Sequence, residues 1–148
     1  VYFARLNGMD ESTIKTRVDE LIELLKMSEF IDRRCEKLST GQKQKVNIGR
    51  TIIHDPSLLI LDEATTGLDV VAKQSIINFV DHMRSDKRVI LFSTHHMDEV
   101  DLLCDRIIIL NKGELIAQGR KEEVPQSLGC ENLYEVFSKY ADKAEAIQ

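Results

Sequence analysis

The chain has no apolar run approaching the ~20 residues that a membrane-spanning helix needs, so none of it reads as a transmembrane segment. Cysteine is scarce. Cys35, Cys104 and Cys130 lie far apart in no CxxC pair, which suggests neither a disulfide framework nor a zinc site and makes a reduced, cytosolic compartment the default. An excess of positive charge is missing too: at a formal net charge of -5 there is no overall field to draw in nucleic acid or an anionic membrane, so any anion site must be local. Internal repeats and low-complexity stretches are absent. What is there, 148 residues with 43% hydrophobic and 30% charged, suffices for one ordinary globular domain with a real core. The chain opens on Val1-Tyr2-Phe3-Ala4 and not on methionine, and the expectation is a piece of something longer.

The rest is arranged around Leu58-Leu59-Ile60-Leu61-Asp62-Glu63. Four consecutive branched aliphatics after the turn residues Asp55-Pro56-Ser57 predict a strand buried on both faces of a parallel sheet, stopping on adjacent carboxylates. In open α/β sheets ligands bind at that carboxyl edge; the plainer role for Asp62 is to cap the next helix. Upstream, Ile14, Val18, Leu21, Ile22 and Leu25 predict an amphipathic helix over residues 12–27. Ser39 followed by Gln42 has the form of a capping box, opening a helix that runs to about His54. Downstream, Thr65-Thr66-Gly67-Leu68-Asp69 is a turn, and Ile76, Phe79, Val80 and Met83 predict a second amphipathic helix from Val70 to Ser85. Val89 to Thr94 reads as another buried strand, ending on His95-His96. A short helix bearing Met97, Val100 and Leu103 leads to Ile107–Leu110, and Asn111-Lys112-Gly113 turns that strand back into Leu115-Ile116-Ala117 as a hairpin. Pro125 and Gly129 break the tail before a last helix bearing Leu133, Val136, Phe137 and Tyr140. This order of elements is α/β with a mainly parallel sheet.

Three groups of residues could do chemistry. The first N–H groups of a helix lack internal partners and carry the positive end of its dipole, so Ser39, Thr40, Gly41 and Gln42 could cradle an anion, with Gly41 letting a phosphate come close to the backbone. Ser39 simply capping its own helix is the plainer reading, and the two are compatible. Asp62 suits a hard cation such as Mg²⁺ that also takes waters and phosphate oxygens, while Glu63 could orient and deprotonate a water. His95 could donate to a phosphate oxygen, or be no more than a polar residue at a strand end. A zinc site of His95, His96, Asp98 and Glu99 is a further option, weakened because adjacent histidines seldom share a face.

Taken together these residues resemble a family. Leu38-Ser39-Thr40-Gly41-Gln42 is similar to the signature motif of ATP-binding cassette (ABC) ATPases, Leu58–Glu63 to their Walker B strand, Thr66-Gly67-Leu68-Asp69 to their D-loop and Ser93-Thr94-His95 to their switch histidine. The four stand in the family's order over residues 38–95, and the Gln44-Lys45-Val46 run resembles sodium- or multidrug-type bacterial exporter subunits. The resemblance implies a P-loop NTPase-like partial core: a portion of the helical subdomain over 1–54, the second half of the catalytic α/β core over 55–119 and a helical tail over 120–148. It implies ATP and Mg²⁺ as cofactors, and a head-to-tail dimer in which Ser39 and Gly41 touch the γ-phosphate of ATP held on the partner domain. Asp62 would reach Mg²⁺ through water, Glu63 would be the general base, His95 would grip the γ-phosphate and Asp69 would line the dimer interface. Membrane-spanning transporter subunits would be the other partners, with the protein peripheral on the cytoplasmic face.

Departures from the pattern are Thr40 for the commoner glycine, Ala64 for the commoner proline and, above all, the lack of any GxxxxGK[ST] phosphate loop. The resemblance is therefore to the carboxyl-terminal part of such an ATPase, expected to be inactive alone. Two alternatives remain at this level: a non-transport ABC ATPase acting on ribosomes or DNA, which basic insertions would favour, and a non-catalytic interaction module. Lys43, Lys45 and Arg50 read as a solvated helix face and not as a nucleic-acid surface.

Overall fold

Short polar side chains set where the longer helices of this chain begin. The computed structural model describes residues 1–84 and 87–145, without the side chains of 141–145; Ser85, the expected end of the second amphipathic helix, and the last residues of the tail lie outside the described residues. After a short α1 (Tyr2–Leu6), α2 (Glu11–Leu24) starts at Asp10, whose carboxylate accepts from the Thr13 N–H at 3.0 Å and from the hydroxyls of Ser12 and Thr13 at 2.5 and 2.6 Å. These donors, Ser12 first, hold the Asp10 carboxyl well below the usual carboxylate range. A single 3₁₀ turn (Cys35–Lys37) precedes α3 (Thr40–Ile52), which opens on Ser39 with the expected capping box complete in both directions. Strand β1 (Leu58–Asp62) follows, then α4 (Val70–Met83), capped by the Asp69 side chain, and β2 (Val89–Ser93). The later elements are α5 (Met97–Leu103), β3 (Arg106–Asn111), β4 (Glu114–Arg120), a short α6 (Val124–Ser127) and α7 (Leu133–Glu145).

The chain divides into two compact units, Val1–Ser93 and Thr94–Gln148. In the first, β1 and β2 pair in parallel with Leu58 beside Val89 and Asp62 beside Ser93. Side chains alternate across a strand, and here the two faces meet different fates. Leu59 and Leu61 are buried in a core shared with Ile14, Leu21 and Leu25 of the α2 region, Ile48 and Ile52 of α3, and Ile76, Phe79 and Val80 of α4. Leu58 and Ile60 are 54% and 58% exposed, and their neighbours Val89 and Leu91 are 65% and 53% exposed. The expectation of strands buried on both faces is therefore corrected. An unbroken aliphatic run hides the period of two, because apolar residues occupy the bare face as well as the covered one.

The entrance to these strands is tied down by Asp55, a non-glycine residue at φ 52°. Its carboxylate takes Arg17 of α2 at 3.4 Å and pairs with Arg88, which also donates to the carbonyls of Pro56 and Met83 at 3.1 and 2.9 Å. Two arginines thus meet one carboxylate, Arg88 half-buried and Asp55 itself exposed.

In the second unit β3 and β4 form the expected hairpin, antiparallel, with Asn111 paired to Glu114. Lys112 and Gly113 at φ 49° and 81° fill a two-residue turn whose twist matches its strands. A register shift between Ile109 and Leu110 marks a bulge opposite. The unit's core gathers Val100, Val124 and Leu133 with the half-buried Met97, Cys104, Ile107, Ile109, Ala117 and Leu128.

Because the Asp10 carboxyl is depressed in the folded chain, the cap contributes stability above about pH 4, the unfolded aspartate value, and that contribution is lost as the pH falls below it. Asp10→Asn keeps an acceptor but cannot titrate. The fall in melting temperature between about pH 6 and about pH 3 should be smaller in Asp10→Asn than in the native chain; an equal fall in circular-dichroism melts would show that the cap is not linked to folding.

Candidate functional site

Ser39 is exposed at the start of α3, where its Oγ accepts from the Gln42 N–H at 3.2 Å and the Ser39 N–H donates to Gln42 Oε1 at 3.0 Å. That exchange satisfies two of the helix's orphan donors. The N–H groups of Thr40 and Gly41 have no partner within the helix, by its geometry. Asp69 stands in the same role on α4: its Oδ1 accepts from the Ala72 N–H at 2.8 Å. The loop leading to it is shaped by Thr66 N–H donating to Glu63 O at 3.1 Å and by Gly67 in the left-handed region at φ 72°. Helices α3 and α4 pack on each other. Their two caps consequently face one cleft of about 450 Å³, lined among others by Lys26, Phe30, Ser39, Gly41, Lys45 and Asp69.

Lys45 is a residue whose place the sequence reading missed. It is half-buried against this cleft and not on a solvated face, unlike Lys43 and Arg50, which are exposed. Burial pushes its ammonium below the ordinary lysine value, the neighbouring charge of Lys26 adds to this, and Asp69 and Glu29 act in the opposite sense. Lys45 and Lys26 thus stand beside a helix N-terminus together with the carboxylates of Asp69 and Glu29. The one signal for it in the sequence is spacing: Lys45 follows Gly41 by four residues, which puts both on the same side of the helix.

At the end of the parallel pair Asp62 sits beside Ser93, and Ser93 Oγ donates to Asp62 Oδ1. The Glu63 N–H in turn donates to Ser93 O at 3.2 Å and to Ser93 Oγ at 3.1 Å. Glu63 itself turns into the left-handed region at φ 43°, a conformation that costs a non-glycine residue energy and that redirects the chain as it leaves the strand. Both carboxylates are exposed. The donor set, one ordinary carboxylate oxygen with a hydroxyl beside it, fits a Mg²⁺ ion that keeps most of its waters and takes phosphate oxygens, and it falls short of a cage built by protein alone. In the sequence Ser93 stands only as the residue before Thr94-His95; the register of two strands thirty residues apart brings it to Asp62.

His95 belongs to the second unit, whereas Asp62 and Glu63 belong to the first. It is exposed, with its ring centroid 4.2 Å from that of His96, so the adjacent histidines do come together, contrary to the expectation from their spacing. Its loop is anchored by Thr94, whose hydroxyl donates to the fully buried Glu99 at 2.6 Å and accepts from the His96 N–H at 3.0 Å. Glu99 is thereby a support of the loop. Among the described residues no group of three or more His, Cys, Asp or Glu side chains is placed to hold a metal ion, so the zinc option gains nothing. No helix among them is long and apolar enough to cross a membrane.

Comparison with known proteins shows what the chain as a whole is similar to. Residues 2–66 match the family described as ABC transporter. The chain is 38% identical over 136 residues to the ABC transporter ATP-binding protein NatA of Bacillus subtilis, covering 92% of this chain and 55% of that protein. It is 32% identical over 147 residues to the Nod factor export ATP-binding protein I of Ralstonia nicotianae, covering 99% of this chain and 44% of that protein. A solved structure of an ATP-binding subunit of an ABC transporter superposes with a TM-score of 0.82 at 25% identity, over 95% of this chain and 59% of its own. That of cbiO1 from Clostridium perfringens, part of the ABC transporter complex cbiONQ, gives 0.66 at 32% identity, over 78% and 47%. The chain spans about half the length of the curated relatives it matches.

Ser39→Ala removes the cap of α3 and should lower the unfolding free energy by about 1 kcal/mol in urea titration. A change near zero would mean that the Gln42 side chain holds the helix start alone.

Proposed function

The chain belongs to the family of ABC transporter ATP-binding proteins, and we propose that it forms the signature-bearing part of an ATPase that powers export across a membrane. The observation that carries this reading is the cleft in which Ser39, Gly41 and Asp69 meet beside Lys45. The start of α3, whose first N–H groups have no partner within the helix, and the half-buried Lys45 suit a phosphate oxygen.

In this reading ATP bound on a second ABC ATPase domain presents its γ-phosphate to that cleft. Ser39 Oγ donates to a phosphate oxygen, with Gln42 keeping the helix start in shape, the N–H groups of Thr40 and Gly41 face the same charge, and Asp69 lines the interface between the domains. For ATP held on its own domain, Asp62, held by Ser93, would offer its carboxylate to Mg²⁺, which would supply neutralisation of charge on the phosphates. At that second nucleotide Glu63 takes a proton from the attacking water, and His95, on a loop steadied by Thr94 and Glu99, donates to the γ-phosphate. ATP binding joins the two domains and hydrolysis parts them, driving membrane-spanning subunits from the cytoplasmic face. The Nod factor export relatives support export as the direction. Residues 1–54 would then be a portion of the helical subdomain, 55–119 the second half of the catalytic core and 120–148 a helical tail.

In the protein that carries this chain, Glu63→Gln should lower turnover by about 10²–10⁴-fold, the usual worth of a general base, while an ATP-bound dimer accumulates in size-exclusion chromatography. Failure of that variant to dimerise with ATP would remove Glu63 from the role of base. This chain by itself, having no GxxxxGK[ST] loop to hold the β- and γ-phosphates, should show no ATP hydrolysis; measurable turnover abolished by Glu63→Gln would refute this.

A further inference from the structure

Gly41 is buried, and its place in α3 is ordinary helix: it is not among the glycines at positive φ, so backbone freedom does not explain it. Space does. A Cβ built on Gly41 would stand 2.7 Å from the Cβ of Ala72, a separation that real methyl groups essentially never show. Neither atom is the end of a flexible side chain, so relief requires one helix to move off the other. Ala72 is also the residue whose N–H the Asp69 carboxylate caps, at 2.8 Å. One residue of α4 therefore touches both halves of the cleft: through its methyl it abuts the start of α3, and through its N–H it orients Asp69.

We infer that Ala72 is a positioning residue for the nucleotide site. The contact between Gly41 and Ala72 sets the distance between the α3 and α4 N-termini, so that the donors around Ser39 and the carboxylate of Asp69 are presented to a partner domain as one rigid surface. This rests on the function proposed above for the cleft, but the contact itself does not depend on nucleotide. The glycine at 41 serves α4 at least as much as it serves an incoming phosphate.

A double-substitution cycle separates the two roles, with Gly41→Ala, Ala72→Gly and the pair measured in the protein that carries this chain. Gly41→Ala should lower the melting temperature in the absence of ATP and should weaken ATP-dependent pairing by about tenfold, the size expected for coupled residues in direct contact. Adding Ala72→Gly should restore both. If room at Gly41 is needed only by the phosphate, Gly41→Ala leaves the melting temperature unchanged and Ala72→Gly rescues nothing, which overturns the inference. Should Gly41→Ala fail to fold, recovery of a cooperative melt in the double variant supports the contact and its absence overturns it. Lack of ATP-dependent pairing in the unsubstituted protein would overturn instead the function assigned to the cleft, and with it the positioning role, whereas the melting arm would still report the contact.

Discussion

The in-register pairing of β1 with β2 decides where the acidic chemistry of this chain can stand. Parallel strands bond evenly along their length, so once Leu58 lies beside Val89 every later pair is set, and Asp62 arrives beside Ser93. The Ser93 hydroxyl then serves two neighbours at once, donating to the Asp62 carboxylate and accepting from the Glu63 N–H. A slip of one residue would turn Leu59 and Leu61 out of the core and carry Asp62 away from its donor. Packing and site geometry therefore enforce the same alignment.

Helix starts do the corresponding work at the other cluster. Ser39 and Asp69 each satisfy a backbone donor of the helix they open, and the packing of α3 on α4 brings the two starts to one cleft. Lys45 adds a half-buried positive charge, which burial and Lys26 push below the ordinary lysine value. Asp69 and Glu29 line the same cleft, so any attraction for an anion there comes from the N–H groups of the α3 start and from Lys45 at close range.

Features built from neighbours in sequence were legible in it. Ser39 and Gln42 announced the capping box, Asn111-Lys112-Gly113 the hairpin, and the helical spacing of Ile76, Phe79, Val80 and Met83 the buried side of α4, all of which the structure has. What escaped depends on partners distant along the chain. Nothing local to Asp62 names Ser93 as its donor, nothing local to Gly41 names Ala72, and Lys45 reads as solvated until α4 is placed against its helix. The bare face of β1 escaped for a different reason: Leu58 and Ile60 are as apolar as Leu59 and Leu61, so composition could not say which pair would meet water.

Asp55 lies at the end of β1 opposite Glu63, and it holds Arg17 from α2 together with Arg88 at the head of β2. The strands are thus gripped at their root by a charged rivet while their tips carry the carboxylates. Only β1 lies between that anchorage and the carboxylate tips, so the place of the tips is referred to α2 through Arg17 as well as to the loop that leads in from α3.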